Sequence, residues 1–223
     1  MKKMILMALL AVAVTTSVKA QYEPGKWSFK PTIAIGFANI SNMQALPLNA
    51  TKLDRKVAPA ARTGLIFEYQ AAERLGIEAG LTYGMQGCAW DDYKAGDEKL
   101  EELGVELQYI QVPIVANVYL VKGLALKAGV QLSFLTDADI KFTTEGKTEG
   151  YKTTTDTRVD IKKDCNKFDV AIPVGLSYEF KNHWVIDATY NIGLTKLNKE
   201  SKSGEGDNKN GALFIGFGYK FSL

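Results

Sequence analysis

The sequence predicts an all-β protein, an eight-stranded antiparallel up-and-down transmembrane β-barrel. Three observations predict it. Apolar residues recur at every second position, the positions between them are rich in glycine and charge, and the connections alternate between short and long. Alternation with a period of two is typical of strands, because successive side chains of a strand point to opposite faces.

The first residues have the pattern of a signal peptide. The basic start, Lys2-Lys3, precedes an apolar run over 4–14, and 18–20 offers small residues at a cleavage position. The apolar run is shorter than the roughly 20 residues that a membrane-spanning helix needs. We therefore predict a signal peptide over 1–20, and a barrel domain over 21–223 that is exported through the inner membrane to the outer membrane.

Cleavage of this segment would bring the chain close to neutrality. Removing three of the 27 basic residues leaves 24 against 25 acidic residues, a net charge of −1. No block of a single charge sign stands out, so nucleic acid is not expected as a partner. The expected partners are outer-membrane lipid, the barrel assembly machinery during insertion, and an extracellular or periplasmic protein of unknown identity.

Eight segments carry bulky apolar residues on one parity. They cover 27–37, 62–69, 75–85, 109–120, 124–134, 168–180, 184–194 and 213–223. The first three alternate cleanly with glycine, small polar residues and charge. The fourth is less regular, and Pro113 is interpreted as a bulge, because proline cannot donate to a strand ladder. The fifth and sixth are rich in Leu, Ile and Val, and the last two add Trp, Tyr and Phe on the apolar parity.

The distribution of residue sizes favours a membrane barrel over a soluble one. A soluble barrel fills its interior with the apolar face, which here would leave Glu, Lys and Gly as the outer coat. The glycine-rich polar face suits a crowded lumen, and the continuous apolar face suits lipid. A soluble periplasmic lipocalin-like ligand carrier is the alternative if the two faces are reversed.

The connections support the membrane interpretation. Short turns are predicted at 71–73, 121–123 and 181–183, and long loops at 39–60, 89–104, 136–167 and 195–210. Short periplasmic turns and longer extracellular loops are typical of outer-membrane barrels. Both chain ends are then periplasmic. The third long loop alternates β-formers around Glu145-Gly146 and is either a hairpin above the membrane or a solvated loop.

Aromatic residues are expected at two levels, where amphipathic rings meet the two interfaces. The periplasmic girdle would contain Trp27, Phe29, Tyr69, Tyr178, Phe180, Trp184, Tyr219 and Phe221, and the outer one Phe37, Tyr83, Phe134, Phe168 and Tyr190.

Three stretches carry a resemblance to known barrels. The C-terminal 218–223 (GYKFSL) resembles the signal by which outer-membrane barrels are recognised for assembly, with Gly218, Tyr219, Phe221 and Leu223 as its residues. The stretches 109–114 (YIQVPI) and 168–176 (FDVAIPVGL) resemble strands of the PorT-like outer-membrane β-barrel family of Bacteroidota. This resemblance implies an eight-stranded, OmpA-like barrel in the cell envelope.

Three kinds of function remain open. The leading hypothesis is a non-enzymatic barrel with a filled lumen that acts through extracellular loops in envelope integrity, adhesion or partner binding. The second is a PorT-like component of protein secretion or assembly, a role of the family's namesake that does not follow from the fold. The third, an outer-membrane enzyme, is disfavoured because the loop rim has no histidine.

Nine charged residues share the lumen-facing parity. They are Lys30, Arg62, Glu68, Glu78, Lys127, Asp169, Glu179, Asp187 and Lys220. Buried charges need partners, and eight strands leave an interior about filled by side chains. We therefore predict an internal ion-pair network rather than a path for solutes.

Few other side chains suggest chemistry, and no catalytic, cofactor-binding or metal-binding residue is predicted. His183 is the only histidine and falls in a periplasmic turn, with no second histidine, serine or carboxylate cluster expected beside it. Asp91 and Asp92 are expected in a solvated loop. Cys88 and Cys165 fall on the same rim, where they form either a disulfide, as exported proteins allow, or two thiols.

Overall fold

The computed structural model describes residues 22–42, 54–95, 98–148, 151–199 and 207–223. The predicted signal peptide, 1–20, lies outside these residues. In the described residues, no helix is long and apolar enough to cross a membrane.

Eight strands form the barrel wall. They are β1 (Trp27–Ile40), β2 (Arg55–Ala72), β3 (Leu75–Trp90), β5 (Glu98–Val121), β6 (Leu124–Thr148), β8 (Phe168–Glu179), β9 (Trp184–Gly193) and β10 (Asn210–Tyr219). Three shorter strands accompany them: β4 (Tyr93–Ala95), β7 (Tyr151–Asp160) and β11 (Phe221–Ser222).

The eight wall strands pair antiparallel with their neighbours and close into a ring. Closure joins β1 to β10, from the pair Thr32 and Gly218 to the pair Ile40 and Asn210. The ring leaves no open edge, which hydrocarbon would not tolerate, because each unpaired backbone group there costs several kcal/mol. The predicted eight-stranded up-and-down barrel is confirmed.

The two faces of the wall differ as the sequence predicts. Ile33, Ile35 and Phe217 point outward and are 58%, 68% and 45% exposed, whereas Glu78 and Gln111 point inward and are buried. A soluble ligand carrier would turn the apolar side chains inward. The lipocalin-like alternative is therefore wrong, and the apolar outer face is the surface that contacts lipid.

Strands extend by several residues into three of the four predicted long loops. β2 begins at Arg55, and β5 and β6 stay paired far beyond the membrane, out to Lys99 and Glu145. The outer part of β6 then exchanges its partner β8 for β7, with which it forms a hairpin. At about 3.3 Å per residue, the ten residue pairs of this hairpin rise roughly 30 Å. Much of the extracellular part is thus a β-sheet.

Aromatic rings contact one another at the periplasmic end. Trp184 stacks 4.7 Å from Phe217 and lies 5.0 Å from Tyr219, while Phe29 stacks 4.7 Å from Phe221 (ring centroids). The rings at this level belong to strands from both ends of the chain and lie at the short-turn rim, where the periplasmic girdle is predicted. Contacts of this kind strengthen the closure between β1 and the C-terminal strands.

The outward face of β1 gives a direct test of which part of the barrel lies in lipid. Ile33→Arg should destabilise the barrel by about 2–4 kcal/mol in vesicles, because a cation is costly near the bilayer midplane. Val57→Arg is the matched control, since Val57 is 57% exposed but lies on the extracellular part of β2. It should cost about 0–1 kcal/mol. Denaturant unfolding in lipid vesicles measures both, and equal costs would contradict the assigned membrane span.

Candidate functional site

On the inner wall, charged side chains occupy the space beside glycines of a neighbouring strand. Gly216 pairs with Asp187, and a Cβ at Gly216 would come within 2.6 Å of the Asp187 carboxylate. A Cβ at Gly218 would likewise approach Lys30 Cγ to 2.9 Å. These glycines leave room for charged side chains in a barrel whose interior is narrow.

Glu78 is the centre of an ion-pair group in the middle of the lumen. Its Oε1 accepts a hydrogen bond from Lys30 Nζ at 3.0 Å, and its Oε2 accepts one from Lys127 Nζ at 2.6 Å. All three side chains are at most 8% exposed. Two buried ammonium groups therefore share one carboxylate through short, charge-assisted hydrogen bonds.

Lys220 forms ion pairs with two carboxylates at the periplasmic mouth of the lumen. Its Nζ lies 2.7 Å from Glu68 Oε2 and 3.2 Å from Glu179 Oε2, and Tyr119 donates to Glu68 Oε1 at 2.5 Å. Tyr22 donates to Glu179 Oε2 at 3.0 Å, and its ring lies 4.4 Å from that of Tyr119. Burial and the Glu179 carboxylate raise the pKa of Tyr22, so its hydroxyl remains a donor. The chain before β1 thus folds into the mouth.

The nine predicted lumen charges divide into two groups. Six form ion pairs, namely Lys30, Glu78, Lys127, Glu68, Glu179 and Lys220. The other three have neutral hydrogen-bond partners among the described residues. Arg62 donates to Gln131, Asp187 accepts from Thr189, and Asp169 accepts from Asn210 and Thr195.

His183 lines a cavity of about 340 Å³ at the periplasmic mouth. The residue has a φ of 66° in the turn between β8 and β9, and its Nδ1 lies 3.3 Å from Glu179 Oε1. The sequence predicts no second histidine, serine or carboxylate cluster beside His183, and the structure places one carboxylate there, that of Glu179, because the tight turn folds the ring back onto β8. Glu179 already contacts Lys220 and Tyr22. No group of three or more His, Cys, Asp and Glu in the described residues could hold a metal ion.

The extracellular end of the lumen is filled by a buried cluster, here called the apolar plug. Its members are Ile40, Cys88, Trp90, Leu103, Val105, Leu107, Tyr109, Leu135, Ala138, Cys165 and Leu197. Most occupy inward positions of β3, β5 and β6 above the polar lumen. An apolar constriction of this kind excludes water and ions.

Two loops cover the plug. Asn166 N donates to Leu197 O at 2.6 Å, and Leu197 N donates to Asn208 O at 2.7 Å. The backbone of Cys165 also forms a single antiparallel β-bridge with the backbone of Asn198. Backbone bonds between the loops before β8 and before β10 thus hold Cys165 and Leu197 down on the barrel.

The cysteines belong to the plug rather than to a bridge. No disulfide joins Cys88 and Cys165, and both thiols are buried. Burial raises the pKa of Cys165 to about 11. Of the two states that the sequence left open, the structure has the thiols.

Sequence reasoning missed the plug, although a signal for it exists. In β5 the apolar parity inverts at Tyr109, since Ile110 and Ile114 point outward below it whereas Leu103 and Leu107 point inward above it. Where a strand crosses the lipid, its apolar residues must point outward. Above the membrane, its apolar residues must point inward. The inversion therefore marks the membrane boundary.

The outward face of the extracellular sheet is polar. The Glu106 carboxylate forms an ion pair with Lys141 on β6, and Gln108 Nε2 donates a hydrogen bond to Glu106 Oε1 at 3.0 Å. Burial alone would raise the pKa of Glu106, but the hydrogen bonds from Lys141 and Gln108 outweigh it and lower the pKa. Asp91 pairs with Lys56 on an exposed surface.

The sequence matches, over residues 19–199, the family described as outer membrane protein beta-barrel domain. The chain belongs to this family. Family membership agrees with a closed barrel whose outer face is apolar, and the protein is an outer-membrane β-barrel protein.

Solved outer-membrane barrels are similar to this family member at low sequence identity. Ail, the attachment invasion locus protein of Yersinia pestis, in complex with the heparin analogue sucrose octasulfate, is 16% identical with a TM-score of 0.44, over 89% of this chain and 100% of Ail. Neisserial surface protein A is 15% identical with a TM-score of 0.43, over 87% and 97%. CarO of Acinetobacter baumannii is 12% identical with a TM-score of 0.39, over 91% and 100%. No curated protein matches the chain.

The group around Glu78 predicts a large loss of stability when its carboxylate is removed. Glu78→Gln should cost the outer-membrane barrel about 3–5 kcal/mol, because it leaves two buried cations without their anion. Glu106→Gln is the control, since its pair with Lys141 is more exposed and should be worth about 1 kcal/mol or less. Denaturant midpoints in vesicles compare them. A Glu78→Gln cost as small as the control would show that the lumen is hydrated and open.

The thiols of the plug should resist alkylation in the folded barrel. Thiolate is the reactive form, so a pKa of about 11 for Cys165 predicts slow labelling at pH 8 that accelerates toward pH 11. Iodoacetamide labelling followed by mass spectrometry measures this, with complete reaction expected after unfolding. Thr155→Cys on the exposed face of β7 is the accessible control. Labelling of Cys165 as fast as this control at pH 8 would contradict a closed plug.

Proposed function

We propose that this outer-membrane barrel is non-enzymatic, carries no solute, and acts through its extracellular β-sheet in adhesion, partner binding or envelope integrity. The observation that carries the proposal is the combination of a filled lumen with a sheet that continues far beyond the membrane. The first feature leaves no transport path. The second provides a rigid surface outside the cell.

Three successive layers support a closed lumen. The mouth is occupied by Lys220 and Tyr22 with their carboxylate partners, and the middle by the group around Glu78. The apolar plug lies beyond both. An ion would have to break buried charge pairs and then cross a hydrophobic barrier, and each step is costly.

The extracellular sheet has a free strand at its edge. β7 pairs with β6 through ten residue pairs, from Asp139 and Asp160 to Thr148 and Tyr151. Within the described residues, its other side pairs with no strand. Such an edge recognises an extended peptide through backbone hydrogen bonds. The partner best suited to it is therefore an extracellular protein that adds a strand.

The route to the membrane forms part of the proposal. Export depends on the signal peptide at 1–20, and insertion depends on the barrel assembly machinery acting on Tyr219, Phe221 and Leu223. Support for the second step comes from the contact of Phe221 with Phe29, which joins the end of the chain to β1. The last residues therefore lie where the ring is closed.

A PorT-like role in protein secretion is the second candidate. It is favoured by the resemblance of 109–114 and 168–176 to the PorT-like family of Bacteroidota. Co-purification with secretion machinery, and a secretion defect on deletion, would favour it over the surface role.

The proposed function predicts that the barrel inserts into the membrane without the β6–β7 hairpin but does not act without it. Replacing 141–158 by a short Asn-Gly turn should leave insertion intact, because the membrane part of β6 pairs with β5 and β8. The variant should fail to restore surface attachment and detergent resistance in a deletion strain, while wild type restores them. Planar-bilayer recordings of the wild type should show no stable conductance. Full restoration by the variant, or steady pore currents, would contradict the proposal.

A further inference from the structure

A small cavity lies in the middle of the lumen, beside the group around Glu78. Its volume is about 40 Å³, and seven of the eight wall strands contribute to its lining. Lys30, Arg62 and Lys127 bring three positive charges to its wall, and Glu78 and Asp187 bring two negative ones. The wall therefore carries one positive charge in excess.

Neither carboxylate forms an ion pair or a hydrogen bond with Arg62, although both attract its guanidinium at longer range. Both oxygens of Glu78 are bonded to ammonium groups, one to Lys30 and one to Lys127. Asp187 Oδ1 accepts from Thr189 Oγ1 at 3.2 Å. Among the described residues, no carboxylate oxygen lies within the 4.0 Å of an ion pair from the Arg62 guanidinium.

The guanidinium of Arg62 has donors to spare. Its hydrogen bond within the described chain is the one from Nη1 to Gln131 Oε1, at 3.4 Å, and this oxygen also accepts from Asn191 Nδ2. One face of the group lies 4.6 Å from the ring centroid of Phe214. Guanidinium offers five N–H donors and does not lose its proton in proteins. The excess positive charge of the wall therefore cannot be removed by loss of a proton from Arg62.

We propose that the lumen binds one small monovalent anion, chloride, between Arg62 and the Lys30–Glu78–Lys127 group. An uncompensated charge in a low-dielectric lumen is costly, and an anion at this point neutralises the cavity wall. The volume suits one halide, since a water molecule occupies about 30 Å³ in the liquid. Sulfate and organic carboxylates are larger. Loss of a proton from a lysine is the competing solution, but it would weaken the charge-assisted hydrogen bonds to Glu78.

The site predicts a chloride-specific stabilisation of the barrel. A ligand that binds the folded state alone stabilises it in proportion to occupancy. Protein refolded into vesicles in sodium chloride should therefore unfold at least roughly tenfold more slowly than protein refolded in sodium gluconate at equal ionic strength. Bromide should substitute for chloride, and sulfate should not.

Two variants separate the site from general salt effects. Arg62→Gln removes the excess charge, so it should fold in either salt and lose the difference between chloride and gluconate. Lys56→Gln removes an exposed cation outside the lumen and should keep the full difference. Crystals grown in bromide should give an anomalous peak within hydrogen-bond distance of Arg62 in the wild type.

Three results would overturn the proposal. They are equal unfolding rates in the two wild-type samples, an undiminished chloride effect in Arg62→Gln, and bromide found away from Arg62. The second would mark a general salt effect, and the third an adventitious ion only.

Discussion

Backbone pairing around the whole ring is the constraint on which the rest of the structure depends. A strand in hydrocarbon has no water to satisfy its N–H and C=O groups, so the first and last strands must pair. Here β1 pairs with β10 and, at its periplasmic end, with β11. Because the ring is closed, one face of every strand meets lipid and the other meets a narrow lumen.

The narrow lumen determines the chemistry of the inner face. Side chains that point inward must fit and must find partners, since the lumen is largely shielded from water. Glycines such as Gly216 provide the space, and the two ammonium groups on Glu78 provide the pairing. Above the membrane the same positions hold apolar residues, because the outer face of the sheet is there in water. The inward positions thus form a polar lumen below and, where the apolar parity inverts, an apolar plug above.

Much of this architecture can be predicted from the sequence, because the period-two pattern and the turn lengths are local signals. The strand count, the direction of the faces and the short turns follow from them. The strand residues above the membrane do not, since in β5 the apolar residues change parity at Tyr109, and a strand defined by one continuous apolar parity ends there. The contact partner of each charged side chain also cannot be predicted from a local sequence pattern. His183 contacts Glu179 through a tight turn, and Arg62 donates to Gln131 across the lumen.

The central claim is a closed barrel in the outer membrane, and heat-modifiable gel mobility of the protein in isolated outer membranes tests it most directly. A closed barrel resists detergent at room temperature and remains compact. Unheated protein should therefore migrate faster than boiled protein and stay with the membrane fraction after a carbonate wash. A protein that is released by the wash, with the same mobility before and after boiling, would contradict the closed ring and the assignment of the apolar face to lipid.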